Sequence, residues 1–222
     1  NNVYRNLVAR DTREHGIRIV GSNNLLENCL IYRTGHHELE FTNSNNVIRN
    51  CTFTQPSIDS SLASRHILQQ LEEGNGTNIF ENNIFVHERL GHSGDWQNQI
   101  WNTNVWTNGA LPPLGGSGAG NINADPLLID PVNGNHHLSQ IAAGQGTNSP
   151  ALNSGSQEAS LLGLDIFTTR IDNVPDAAIV DMGYHYPPPA FRSTLIRVEL
   201  TLEGGQGMFH TSETFSGSAV LR

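Results

Sequence analysis

The sequence predicts an all-β chain, a right-handed single-stranded parallel β-helix of about 22 residues per coil. Three observations predict it. Asn23-Asn24-Leu25-Leu26-Glu27-Asn28-Cys29-Leu30-Ile31 recurs 22 residues later as Asn45-Asn46-Val47-Ile48-Arg49-Asn50-Cys51-Thr52-Phe53. Related copies open the chain at Asn1-Asn2-Val3-Tyr4-Arg5-Asn6 and return at Gly76-Thr77-Asn78-Ile79-Phe80-Glu81-Asn82. The runs are short, apolar and broken by Asn or Gly, and the Leu-x-x-Leu-x-Leu spacing of a leucine-rich repeat is missing. Such a unit cannot bury its apolar face alone, so the units must stack.

Stacking in register turns repeat positions into columns. Val3, Leu25, Val47 and Ile79 read as a core column. Asn2, Asn24, Asn46 and Asn78 form one amide column, and Asn6, Asn28, Asn50 and Asn82 a second. An amide at a tight bend bonds its own backbone and the amide one coil away, so inward ladders are expected. Arg5, Glu27, Arg49 and Glu81 read as an outward ladder of alternating charge on strands roughly 4.8 Å apart. Cys29 and Cys51 share a column. Parallel in-register side chains fit a disulfide poorly, so stacked buried thiols are expected.

Within a coil the order is loop, strand, bend, strand. Gly16-Ile17-Arg18-Ile19 alternates, with Ile17 and Ile19 inward and Arg18 outward. One coil on, Glu38-Leu39-Glu40-Phe41 places Leu39 and Phe41 inward and both glutamates outward. Asn46 to Asn78 is 32 residues, ten more than one coil. His37 to His66 is 29, so seven of the ten fall in residues 54–65 and the rest near Glu73-Gly74. Insertions in solenoids map to loops on one flank. Beyond His87 the repeat degrades, although Ile100-Trp101 and Val105-Trp106 read as further strands.

Composition narrows the partners. A net charge of −9 without a single lysine excludes a nucleic-acid footprint and opposes an anionic membrane surface. No run of 18 apolar residues occurs, so no membrane span is expected. The chain starts inside a repeat, which predicts further domains of the same chain at both ends.

Asp125-Pro126-Leu127-Leu128-Ile129-Asp130-Pro131, Asn133-Gly134-Asn135-His136-His137-Leu138, Ser149-Pro150-Ala151-Leu152-Asn153-Ser154-Gly155 and Val180-Asp181-Met182-Gly183-Tyr184-His185-Tyr186 follow the coils. With the Asn-rich coils, these motifs resemble the C-terminal end of secreted bacterial right-handed parallel β-helix proteins of the pectate-lyase-like superfamily. The resemblance covers residues 1–186 and implies coils closed by a cap, at the cell surface or outside the cell. It is nearly silent about activity, since that superfamily holds lyases, hydrolases, epimerases, tailspikes and adhesins. Residues 187–194, opening with Pro187-Pro188-Pro189, read as a stiff linker. Residues 195–222 read as the first strands of a truncated β-sandwich-like module.

Six of the ten histidines lie in the loop preceding the Ile17 and Leu39 strands or in its later equivalents. His15 and His37 share a column, as do Arg18 and Glu40. The resemblance implies a substrate groove along this flank. Glu38, Glu40, His37 and Arg18 are the candidate catalytic residues, and His15, Asp59, Arg65, His66 and Trp96 the candidate polysaccharide-binding residues. A lyase needs a base beside a uronate carboxyl and a cation, Ca²⁺ or arginine, for the enolate. A glycoside hydrolase needs two carboxyls, and Glu38 and Glu40 stand two apart on one strand. A transition-metal site could draw on His15, His36, His37 and His66, without HExxH or Cys-rich spacing to support it. Against all of these stands a solvated flank with incidental histidines, on a non-catalytic surface or adhesive scaffold.

Other motifs carry less. Trp96, Trp101 and Trp106 serve as sugar platforms or, preferably, as the cover of the coil end. Asp125, Asp130, Asn133 and Asn135 resemble a Ca²⁺ set in composition but lack EF-hand spacing, so turns are expected. Asp172, Asp176 and Asp181 are read the same way. Asn50-Cys51-Thr52 and Asn75-Gly76-Thr77 match glycosylation sequons.

Overall fold

The repeat folds as predicted, into parallel β-sheets stacked as a solenoid. The computed structural model describes residues 2–42, 44–56, 67–70, 76–86, 96–107, 116–189, 196–198 and 215–217. β1 (Val3–Arg5), β2 (Val8–Arg10) and β3 (Ile17–Ile19) make the first coil, and β4 (Leu25–Glu27), β5 (Leu30–Thr34) and β6 (Leu39–Phe41) the second. β7 (Val47–Arg49), β8 (Thr52–Pro56) and β9 (Leu68–Gln70) follow, then β10 (Ile79–Glu81) and β11 (Ile84–Val86). β12 (Ile100–Asn102), β13 (Val105–Trp106) and β14 (Ile122–Asn123) continue the stack. Three parallel sheets result, ordered β1-β4-β7-β10-β12, β2-β5-β8-β11-β13-β14 and β3-β6-β9.

The register follows the sequence arithmetic. Leu25 pairs with Val47, Val47 with Ile79 and Leu39 with Leu68, offsets of 22, 32 and 29. The inserted residues 57–66 and 71–75 lie outside the described residues. The later coils are tighter, with Ile79 paired to Ile100, an offset of 21.

One column faces the side opposite to that expected from the sequence. Val3, Leu25, Val47 and Ile79 face outward; Val3 is 58% exposed and the others are half-buried. The inward column is the next residue, where Leu26, Ile48, Phe80 and Trp101 are each 0% exposed. A pleat alternates faces every residue, so positions 3 and 5 of the coil must share a side. The position between them carries the larger apolar groups, and these fill the core. Phe80 and Trp101 stack at 4.2 Å between ring centroids, and Phe53 and Phe85 at 5.2 Å.

The Asn24 column is the continuous ladder expected. Asn24 donates its side-chain amide to Asn46 Oδ1 at 3.0 Å, the Asn46 backbone amide donates to Asn78 Oδ1 at 2.9 Å, and that of Asn78 to Gln99 Oε1 at 2.8 Å. A second interior ladder runs along the cysteine column. The Asn83 side-chain amide donates to Ile48 O, that of Asn104 to Phe80 O, and that of Asn121 to Trp101 O, at 2.7–2.9 Å. The Cys51 thiol approaches the equivalent carbonyl, Leu26 O, at 3.8 Å. Both cysteines are free and buried, in keeping with the stacked thiols.

The Asn28 column is not an inward ladder. Asn6, Asn28, Asn50 and Asn82 sit at the corner with φ between 49° and 57°, the left-handed region that Asn tolerates best among residues with a side chain. Asn28 Nδ2 donates to Asn6 Oδ1 at 2.8 Å, one rung of stacking, while the Asn28 and Asn82 side chains also reach the C-terminal segment. Asn28 Oδ1 accepts the His185 amide at 2.7 Å, and Asn82 Oδ1 accepts that of Ser156 at 2.9 Å.

That segment is a strap laid along the solenoid axis. Gly183 N–H donates to Asn82 O at 2.8 Å, Tyr184 N–H to Thr52 Oγ1 at 2.8 Å, and His185 N–H to Asn28 at 2.7 Å. Three consecutive strap residues thus hold three consecutive coils. The strap rides so close that a Cβ on Gly183, whose φ is +93°, would stand 2.7 Å from Thr52 Oγ1. An antiparallel hairpin, β15 (Leu128–Asp130) and β16 (Asn135–Leu138), packs beside it. Thr54 Oγ1 and His136 Nε2 are 2.8 Å apart, and Tyr32 and His136 meet at 4.5 Å. β17 (Ile196–Val198) and β18 (Phe215–Gly217) pair antiparallel. Among the described residues no helix is long and apolar enough to cross a membrane.

Candidate functional site

The site begins with a glycine. A Cβ on Gly35 would lie 1.7 Å from Arg13 O, closer than any side chain permits, so only glycine lets the loop before β6 lie against the loop before β3. The contact is closed by His36 N–H donating to Glu14 O at 2.7 Å and Gly16 N–H donating to His37 O at 2.8 Å. These bonds carry the register of β3 and β6 back into the loops. They bring His15, His36 and His37 to one spot.

His15 and His37, predicted to share a column, stack at 5.4 Å with planes 9° apart. His36 closes the triangle, 5.2 Å from His15 and 3.8 Å from His37. One ring nitrogen of each residue lies within 4.8 Å of one on each of the others. His15 and His36 are half-buried and His37 is buried.

Glu40 stands beneath the imidazoles. Its Oε2 is 3.2 Å from His15 Nε2 and its Oε1 is 2.6 Å from Arg18 Nε. The predicted Arg18–Glu40 pairing across one coil is therefore present. The carboxyl, however, is 4% exposed, while 56% of the Arg18 side chain is open to solvent. His15 Nδ1, the nitrogen turned from Glu40, is buried and has no hydrogen-bond partner among the described residues. Burial holds His15 below the usual imidazole pKa, opposed by Glu40 and reinforced by His36.

Glu38 departs furthest from the prediction. Expected outward beside Glu40, it is 0% exposed, and neither carboxyl oxygen has a hydrogen-bond partner among the described residues. Burial pushes its pKa well above the ordinary carboxylate value. A pair of solvent-facing carboxylates flanking a sugar is not what this strand presents. Trp96 is also withdrawn from solvent. It is 3% exposed and packs 6.1 Å from both Phe41 and Trp101, so it belongs to the core and not to a sugar platform. Asp59, Arg65 and His66 lie outside the described residues.

The Asp/Asn motifs resolve into turns. Asp125 Oδ1 accepts the Leu127 amide at 2.8 Å, and Asp130 Oδ2 accepts Asn133 Nδ2 at 2.8 Å. Asp172 is held by Arg170, which lowers its pKa. Asp176 and Asp181 form something the sequence did not show. Asp176 Oδ2 lies 2.8 Å from His185 Nε2 and accepts the Asp181 amide at 2.8 Å, all three residues being buried. His185 Nδ1 faces Gly183 O at 3.0 Å, so both ring nitrogens are engaged inside the strap. No sequence spacing marks this pair, which only the fold of the strap brings together. Asn50, the sequon asparagine, is 0% exposed and does not offer its amide to solvent.

No protein-family model, no curated protein and no solved structure matches the chain.

Proposed function

We propose that this flank recognises an extended acidic polysaccharide, in line with the resemblance to secreted bacterial β-helix proteins, and that the chain acts outside the cell or at its surface. The observation that carries the reading is Arg18, 56% of whose side chain is open to solvent beside the stacked imidazoles of His15 and His37. Parallel coils stand roughly 4.8 Å apart, comparable with the length of one sugar unit along a chain. A guanidinium so placed meets a uronate carboxylate in a fork. Recognition is favoured over hydrolysis, because Glu38 is enclosed and Glu40 is taken up by Arg18 and His15. A non-catalytic surface scaffold is the rival reading.

Titration with uronate-containing and neutral oligosaccharides tests it. Binding of the acidic series, weakened about tenfold or more in Arg18→Ala as one charge-assisted contact of about 1.5–3 kcal/mol requires, supports recognition. Absence of binding, or binding indifferent to Arg18, puts the scaffold in its place.

A further inference from the structure

We propose that His15, His36 and His37 form a binding site for a divalent transition metal of the zinc class, with three imidazole ligands and one position open. The proposal stands on the imidazole geometry and does not depend on the glycan reading. Three observations converge. First, the three donor atoms already lie within 4.8 Å of one another. A tetrahedral zinc with bonds of about 2.0–2.1 Å holds its nitrogens roughly 3.4 Å apart, so small rotations of rings on two loops would complete the shell. Secondly, the loops are fastened by the His36–Glu14 and Gly16–His37 backbone bonds and by the contact that only Gly35 allows, so the ligands are positioned before metal arrives.

The third observation is the arrangement around His15. Its Nε2 faces the Glu40 carboxylate at 3.2 Å, and its Nδ1 is buried without a hydrogen-bond partner among the described residues. Metal-ligating imidazoles commonly turn their second nitrogen to a carboxylate, which fixes the tautomer and raises ligand basicity. Glu40 fills that role, and Arg18 in turn holds Glu40. A buried nitrogen lone pair without a donor is a cost that a metal ion would remove. An all-imidazole set favours zinc, copper or nickel over calcium and magnesium, which require oxygen. Glu40 is a positioning residue in this arrangement, not a ligand.

Titration of the full chain, stripped with a chelator, with Co²⁺ and then Zn²⁺ decides the matter. One equivalent of Co²⁺ should give the intense visible bands of a four- or five-coordinate site, and Zn²⁺ should displace it. Histidine ring resonances in the same titration should move for His15, His36 and His37 and stay for His136, His137 and His185. His36→Gln, in a half-buried loop position, should remove the bands and weaken Zn²⁺ binding by more than the Glu40→Gln variant. Glu40→Gln should lose roughly 10–100-fold in affinity, as loss of an outer carboxylate does. Absence of stoichiometric Co²⁺ binding by the wild type overturns the proposal whatever the variants do. So do ring shifts confined to other histidines, or a folded His36→Gln that binds as tightly as the wild type.

Discussion

Asn83 accepts the backbone amide of Cys51 on its Oδ1 at 2.9 Å and occupies, in its own coil, the position that Cys51 holds in the coil before. The thiol and the amide are thus two solutions to one problem, the pairing of the polar backbone at an inward bend. Replacing Asn83 with Leu leaves the Cys51 N–H without its partner and removes the side-chain bond to Ile48 O, and unfolding in urea should show a loss of about 1–3 kcal/mol. Cys51→Asn, which extends the ladder by one rung, should be tolerated far better.

The thiols themselves should be inert in the folded protein. Both are buried, and burial raises the Cys51 pKa well above the usual thiol value, so little thiolate forms. A thiol-reactive dye should label neither cysteine until urea unfolds the chain. Fast labelling of the native state would contradict the column assignment.

The outward charge column matters more than an exposed ladder would. Glu27 is only 4% exposed and is shared by Arg5 and Arg49. Glu27→Lys would place three cations in a row. The loss should exceed the about 1 kcal/mol of an exposed pair and approach the roughly 3 kcal/mol seen when one partner of a buried pair is removed. Urea titrations at low and high salt should differ less than for a fully exposed pair, because the shared Glu27 carboxylate is enclosed even though Arg5 is open to solvent.

The strap should detach when its buried pair is broken. Asp176→Asn removes the carboxylate that faces His185 Nε2, and a weakened buried hydrogen bond of this kind costs about 1–3 kcal/mol. Hydrogen exchange at Gly183, Tyr184 and His185 should accelerate more than at Phe80 or Ile48. Uniform acceleration would mean that the strap and coils unfold as one unit.

His136 should make the protein acid-sensitive. Burial lowers its pKa from 6.5 to about 4, so the unfolded chain takes up a proton before the folded one does. The stability it protects is whole above pH 6.5 and is lost as pH falls toward 4, by about 3 kcal/mol for a shift of this size. His136→Gln, which can still bond Thr54 but cannot titrate, should flatten the stability profile in that window.

What the sequence determined by itself was the register. Identical residues recurring at one spacing oblige the coils to stack in step, and the pairings of Leu25 with Val47, Leu39 with Leu68 and His15 above His37 follow from the spacing alone. The Arg18–Glu40 pair followed from the same count. A repeat does not, however, say which way a column faces when two neighbouring columns are both apolar. Val3, Leu25, Val47 and Ile79 have the chemistry of a core as much as Tyr4, Leu26, Ile48 and Phe80 do, and packing volume chose between them. Nor does a local pattern reveal cover supplied from afar. Asn28 accepts from His185, 157 residues away, and Glu38 is enclosed by the fold around it. His36 joins the imidazole cluster because Gly35 lets two loops touch, a contact in space with no counterpart in spacing. Register is a property of the chain's periodicity; enclosure is a property of everything that packs around it.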